Sequence, residues 1–289
     1  MAHITPGPSG GETPRNPEAL AELDAVIGQD GVKQQIRRTV NLVQLARERE
    51  RKGLPELGIA HHLVFTGNPG TGKRTVAGIV GRIYKEIGLL KKGDMIECNR
   101  RTLIGEYVGQ SAPKTQKVID DALDGILYID EAYTLAPQMS SGKRDPFADE
   151  AVATLLKAME DRKDRLVVIA AGYKDEMGRF LDSHPGLKSH FKTIIDFEDY
   201  SQAELVEIFR QMASTHGVRL SPDAQAPLAT LMGSLDRGRK GFGNGRTVRN
   251  IFEECVTRQA NRLAESGGRI DVATLEGSDI PKPGEMDFR

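Results

Sequence analysis

The stretch His62–Thr75, HLVFTGNPGTGKRT, decides how this chain is read. Leu63, Val64 and Phe65 form a short apolar run that ends in a glycine-punctuated loop: Gly67, then Asn68, Pro69, Gly70 and Thr71, then Gly72 and Lys73. This is the spacing of a phosphate-binding P-loop, in which glycines let successive backbone N–H groups turn inward at the positive end of the next helix dipole. Lys73 then supplies a point charge for the outer phosphates. The next position departs from the motif. A hydroxyl is needed there to hold magnesium, and the chain has Arg74, with Thr75 one residue late. Successive helix positions do not share a face, so the shift is not neutral, and Thr75 is left as the remaining hydroxyl candidate.

Working outward, the 289 residues suffice for two compact domains, each with its own core. With 40 basic and 41 acidic residues there is no global field to recruit nucleic acid or an anionic membrane, so neither is expected as a partner. No apolar run reaches the roughly 18 residues of a membrane span. The N-terminus, MAHITPGPSGGETPRNPEAL, lacks the basic-then-apolar pattern of a secretory signal, which gives a cytoplasmic location as the expectation. Cys98 and Cys255 have neither disulfide-framework nor metal-site spacing.

Residues 1–20 are rich in Pro, Gly and polar types without periodicity and are expected to form a disordered arm. After the Gly28 turn, Val32, Ile36, Val40, Val43 and Ala46 recur at helical spacing until Gly53 and Pro55. A helix is expected from Lys73 to Ile87, a strand at MIECN, a helix over Val118–Leu123, and a buried strand in GILYIDEA. The segment DEAVATLLKAMED reads as a helix, and RLVVIAAGY and KTIIDF read as further strands. Strands alternating with helices imply a parallel sheet covered on both faces, with ligands at the carboxyl ends of its strands. Beyond Tyr200 the strand signal gives way to three helical segments and a short extended piece, RIDVATL. The expected division is therefore an arm over 1–20, a P-loop α/β domain over 21–199, and a helical domain with a tail over 200–289.

A second motif, Ile126–Glu131, carries two acids at the end of a buried strand. In P-loop ATPases the first acid orients magnesium and the next polarises the attacking water. That assigns Asp130 to the metal and Glu131 to the water. An isolated Asp-Glu pair after a strand is more often an acid stabilising a helix N-terminus. About fifty-five residues after a P-loop, the catalytic reading is preferred.

GNPGTGKRTVA, LIGEYVGQSAPKT, GILYIDEAYTLA, VVIAAGY, HPGLKSHF and GNGRTVRNIFE follow one another in an order that resembles the AAA+ ATPases of the CbxX/CfxQ family. That family includes red-type rubisco activases, the stage V sporulation protein K group and the ATPase domain of type VII secretion factors. The resemblance covers roughly Leu23 to Leu263. It implies a RecA-like α/β domain, a helical lid, ATP with magnesium as cofactor, and a hexameric ring, homomeric or mixed, that remodels a protein client. Val26, Ile27 and Gly28 match the segment lining the adenine pocket. Tyr107, Val108 and Gly109 match the pore loop that grips a polypeptide. Arg246 matches the lid arginine that senses the γ-phosphate, with Arg249 as the alternative one turn on.

Two positions depart from the family. Threonine is usual where Arg74 stands, and an arginine cannot ligate a cation. An arginine finger supplied to the neighbouring subunit's ATP is usual where His190 stands, and a histidine is mostly neutral near pH 7 and lacks the guanidinium fork. Lys188 is a candidate substitute, two residues out of register. Either both positions tolerate substitution, or hydrolysis is weakened and the chain acts as a nucleotide-gated scaffold or an impaired ring subunit beside an active paralogue. No residue selects the client.

Overall fold

The computed structural model describes residues 18–107, 109–136, 145–266 and 271–286. In chain order its elements begin with α1 (Ala19–Ala25), α2 (Asp30–Arg51), β1 (Leu63–Gly67), α3 (Lys73–Glu86), β2 (Met95–Cys98), α4 (Arg100–Leu103), α5 (Ser111–Asp121) and β3 (Gly125–Ile129). They continue with α6 (Pro146–Asp161), β4 (Leu166–Gly172), α7 (Lys174–Asp182), α8 (Pro185–His190), β5 (Thr193–Phe197), α9 (Gln202–Thr215), β6 (Arg219–Leu220), α10 (Gln225–Gly233), α11 (Gly245–Ser266) and β7 (Thr274–Leu275).

The first five strands form one parallel sheet in the order β2-β3-β4-β1-β5, the RecA-like arrangement with helices on both faces. Alternation within each strand divides its side chains between two cores. Leu63, Phe65, Ile126, Tyr128, Val167, Ile169 and Ala171 pack with α1, α2 and α3. Val64, Leu127, Ile129, Leu166, Val168 and Ala170 pack with α5, α6 and α7. Both faces being covered, strands such as β3 and β4 are buried throughout and read as apolar runs. β1 lies between β4 and β5, so the loop that follows it emerges in the middle of the sheet. β4 separates β1 from β3, and the acids after β3 therefore stand one strand away from that loop.

Several expectations need adjusting. Residues 1–17 of the expected arm lie outside the described residues, but Ala19 and Leu20 are buried in the first core at the start of α1. Their apolar side chains carry more weight than the Pro/Gly-rich composition upstream of them. α5 begins seven residues before the expected Val118, with Pro113 in its first turn, where a missing N–H leaves no bond unmade. The extended piece after α11 is short: β7 pairs in parallel with β6, and Arg269 and Ile270 lie outside the described residues. No helix among the described residues is long and apolar enough to cross a membrane.

The lid, α9–α11 with β6 and β7, has a third core around Leu205, Phe209, Leu228, Ile251 and Phe252. It is tied to the loop after β1 by a buried polar node. Asn244 is fully buried and held at φ 46. Its Nδ2 donates to Asp199 Oδ1 (2.6 Å), Phe242 O (3.1 Å) and Pro69 O (3.3 Å), while its Oδ1 accepts the Tyr200 amide at 2.9 Å. Asn68 Nδ2 donates to the same Asp199 carboxylate at 2.8 and 3.0 Å, and its amide oxygen accepts the Gly241 N–H at 3.3 Å. Gly245 N–H donates to Gly70 O at 3.1 Å. Gly70, at φ +71, is pressed so closely on the lid that a Cβ there would stand 2.1 Å from Gly243 O.

Removing the Asn244 side chain orphans a buried amide and one side of a carboxylate. Asn244→Gly is expected to lower unfolding free energy by about 2–4 kcal/mol, each orphaned buried group costing roughly 1–3 kcal/mol. Asn244→Ala should cost about 1 kcal/mol more, because only glycine takes the left-handed backbone without penalty. Urea-denaturation midpoints of the two variants check both the loss and the order.

Candidate functional site

The loop after β1, the acids after β3 and the N-terminal end of α11 converge on one cleft of about 820 Å³. Gly67, Pro69, Gly70, Gly72, Lys73, Arg74 and Thr75 line it from the loop and α3. Gly67 sits at φ +138 with its α-carbon against Phe197 O, a conformation and a clearance that exclude a side chain. Gly72, left-handed, is the N-cap of α3 and has no side chain to bond the first helical amides. Those amides are what an anion would take.

Lys73 Nζ folds back on the loop, donating to Asn68 O (2.7 Å), Gly67 O (2.8 Å) and more distantly Thr71 Oγ1 (3.4 Å). Burial pushes its pKa down to about 8, Asp130 opposes this, and the nearby Arg246 adds to the depression. Asn68 and Thr71 do not line the cleft. They hold the loop instead, Asn68 through Asp199 and Thr71 through a 2.9 Å bond from its hydroxyl to Asn68 O.

Asp130 emerges one residue beyond the Ile129–Ala170 register of β3 and β4, and its Oδ1 accepts the Glu131 amide at 3.1 Å. Glu131 is exposed and left-handed, φ 49 and ψ 43. Such a backbone costs a non-glycine residue about 1–2 kcal/mol. It is fixed by Thr134, whose N–H and hydroxyl both donate to Glu131 O, at 2.8 and 2.7 Å. Backbone strain of this kind clusters at functional sites.

Arg246 and Arg249 both line the cleft from the first turns of α11. Val26 and Ile27 line it from the segment after α1, and Ile208 and Met212 line it from α9. Gly28 does not: it turns away at φ +58 with its α-carbon packed on the Glu204 carboxylate. Tyr128, Tyr133, Tyr173, Tyr200 and Glu97 also line the cleft and were missed by sequence reasoning. Tyr173 and Glu97 stand just past or near the carboxyl end of a parallel strand, which was the signal available.

Three residues expected to act on a neighbouring subunit or a client lie away from this cleft. His190 ends α8, outside the cleft lining, with 21% of its side chain exposed and its Nε2 3.8 Å from Glu160. Its ring meets that of buried His62 edge-on, 6.2 Å between centroids. Lys188 is paired with Asp182. Tyr107 projects from the α4–α5 connection with 69% of its surface exposed, beside Gly109 at φ +84, and Val108 lies outside the described residues.

Among the described residues no group of three or more His, Cys, Asp or Glu gathers as a metal site. Magnesium does not require one, since one or two carboxylates with phosphate oxygens and waters suffice. Asp130 fits that role. Arg74, paired with Glu97 at 2.5 Å, offers no ligand, and Thr75 is exposed on the same wall.

Comparison with known proteins places this chain in a family. The ATPase family associated with various cellular activities (AAA) matches residues 63–198, and the AAA lid domain matches residues 201–288. Protein CfxQ of Xanthobacter flavus is 42% identical over 90% of this chain and 81% of its own length. Stage V sporulation protein K of Bacillus subtilis is 39% identical over 91% of this chain and 82% of its own length. The ESX-1 secretion system protein EccA1 of Mycobacterium tuberculosis is 41% identical over 90% of this chain, which spans only 46% of that relative. Among solved structures, a mutant of Thermotoga maritima RuvB superposes with a TM-score of 0.60 at 17% identity, covering 89% of this chain and 69% of that one. That likeness concerns the fold alone. The identities to full-length relatives extend across both the sheet and the lid, and the chain belongs to the CbxX/CfxQ family of AAA+ ATPases.

Proposed function

We propose that this ATPase uses ATP binding and hydrolysis to remodel a protein partner. The observation that carries the reading is the convergence of Lys73, Asp130, Glu131 and Arg246 on one cleft whose floor is a glycine loop at a helix N-terminus. In this reading the phosphates lie on the amides of Gly67–Lys73, Lys73 exchanges its loop carbonyls for the outer phosphates, and Arg246 meets the γ-phosphate from the lid. Ile27 and Val26, with Ile208 and Met212 of α9, hold the base. Asp130 holds magnesium, which when bound offsets charge on the phosphates. Glu131 orients and polarises the attacking water. Residues 21–199 and 200–289 act as the two units that the nucleotide bridges.

The client is gripped by the loop at Tyr107, Val108 and Gly109 in a hexameric ring, and the exposure of Tyr107 supports that assignment. A cytoplasmic setting belongs to the same reading and suits two buried cysteines kept as thiols. A second reading, slow turnover relieved by a paralogue, rests on Arg74 standing where the family has a hydroxyl and His190 where it has an arginine.

Phosphate release from the purified chain separates these. Glu131→Gln is expected to lower turnover by about 10²–10⁴-fold while nucleotide still binds. Under slow turnover, Arg74→Thr and His190→Arg each raise the rate. Rapid wild-type release that both leave unchanged would remove the second reading and keep the first.

Nucleotide affinity should also depend on pH with a defined sign. Below about pH 8, Lys73 is a cation with or without ligand, and affinity is flat. A bound phosphate raises the Lys73 pKa, so above that pH binding takes up a proton. Affinity of a fluorescent ADP should then fall by up to about tenfold per pH unit. A flat profile to pH 10 would contradict the pairing of a depressed free-state Lys73 with a phosphate contact.

A further inference from the structure

Arg74 stands at the position where a P-loop presents a ligand for a divalent cation, and it brings a cation of its own. It is the second residue of α3 and lines the cleft with Lys73, Asp130 and Glu97. Cα–Cβ bonds in a helix tilt toward its N-terminus, so this side chain departs from the end of α3 at which the anion binds. In the structure its guanidinium rests on Glu97 Oε2 at 2.5 Å, with 69% of the arginine and 33% of the glutamate side chain exposed. An ion pair so open to water contributes little and is readily separated. Once separated, Glu97 keeps its hydration, whereas the guanidinium fork matches two oxygens of a phosphate.

We propose that Arg74 is a phosphate-binding residue that exchanges Glu97 for the outer phosphate oxygens of a nucleoside di- or triphosphate, making nucleotide retention largely independent of a divalent metal. The inference rests on the nucleotide reading of the cleft. It assigns Glu97 as the resting partner that keeps Arg74 at the mouth of the site between ligands. Asp130 remains available to a metal for the chemical step, so hydrolysis and retention have different metal requirements. The chain would hold ADP or ATP through an interval in which magnesium is absent.

The test is fluorescence anisotropy of N-methylanthraniloyl-ADP with the full chain, in excess magnesium chloride and in excess EDTA. Wild-type affinity should agree between the two buffers within about threefold, well inside the tenfold that marks loss of one charged contact. Arg74→Thr should bind about tenfold or more weakly in EDTA and recover in magnesium. Arg74→Lys, which keeps the charge without the fork, should remain metal-independent at reduced affinity. Glu97→Gln, which weakens the resting pair, should bind at least as tightly as wild type in both buffers. A wild-type loss of tenfold or more on chelation, or the same magnesium-to-EDTA ratio in wild type and Arg74→Thr, overturns the role of Arg74 and leaves the nucleotide site standing. No binding in either buffer overturns both.

Discussion

The structure depends on one carboxylate. Asp199 sits where the sheet ends and the lid begins, and it accepts hydrogen bonds from Asn68 in the glycine loop and from Asn244 before α11. Through these bonds the nucleotide loop, the connection after β5 and the lid form one hydrogen-bonded body before any ligand arrives. The node is buried enough that each amide hydrogen unmatched by an acceptor would cost more than the bond contributes when made. That asymmetry makes it a device for specifying geometry: the lid has one seat on the loop, and Arg246 is delivered to the cleft by it. Tyr200 adds a second tie, its hydroxyl donating to Thr71 O at 3.1 Å.

The electrostatics of the cleft follow from the same seating. Lys73 and Arg246 are brought close together, and part of the depression of the lysine comes from that proximity. Asp130, Asp199 and Asp196 oppose it. The lysine is satisfied by loop carbonyls and Arg74 by Glu97.

Much of this was legible in the residues. The apolar runs of β1, β3 and β4, the glycine spacing, and the 3.6-residue periodicity of α2, α3 and α9 are local signals, and the fold follows from them with the order of the motifs. What escaped depends on contacts between distant segments. Nothing near Gly28 shows that Glu204 of the lid packs against it, and nothing in NRRTL or MIEC shows that Glu97 meets Arg74. Asn68 and Thr71 read as loop residues that offer backbone N–H groups, and nothing in the motif shows that their side chains turn into the loop and its supports. Nothing near His190 in the chain shows that its neighbours are His62, just before β1, and Glu160 of α6. A chain position fixes which element a residue occupies, and only the packing of elements fixes what it touches.

The claim that loop and lid are one body is tested most directly by hydrogen–deuterium exchange of the nucleotide-free chain carrying Asp199→Ala. Loss of the shared acceptor should raise exchange together in the glycine loop, residues 67–73, and in the lid segment, residues 241–247, while β3 and β4 stay protected. Faster exchange in only one of those two segments would show that the lid is seated independently of the loop.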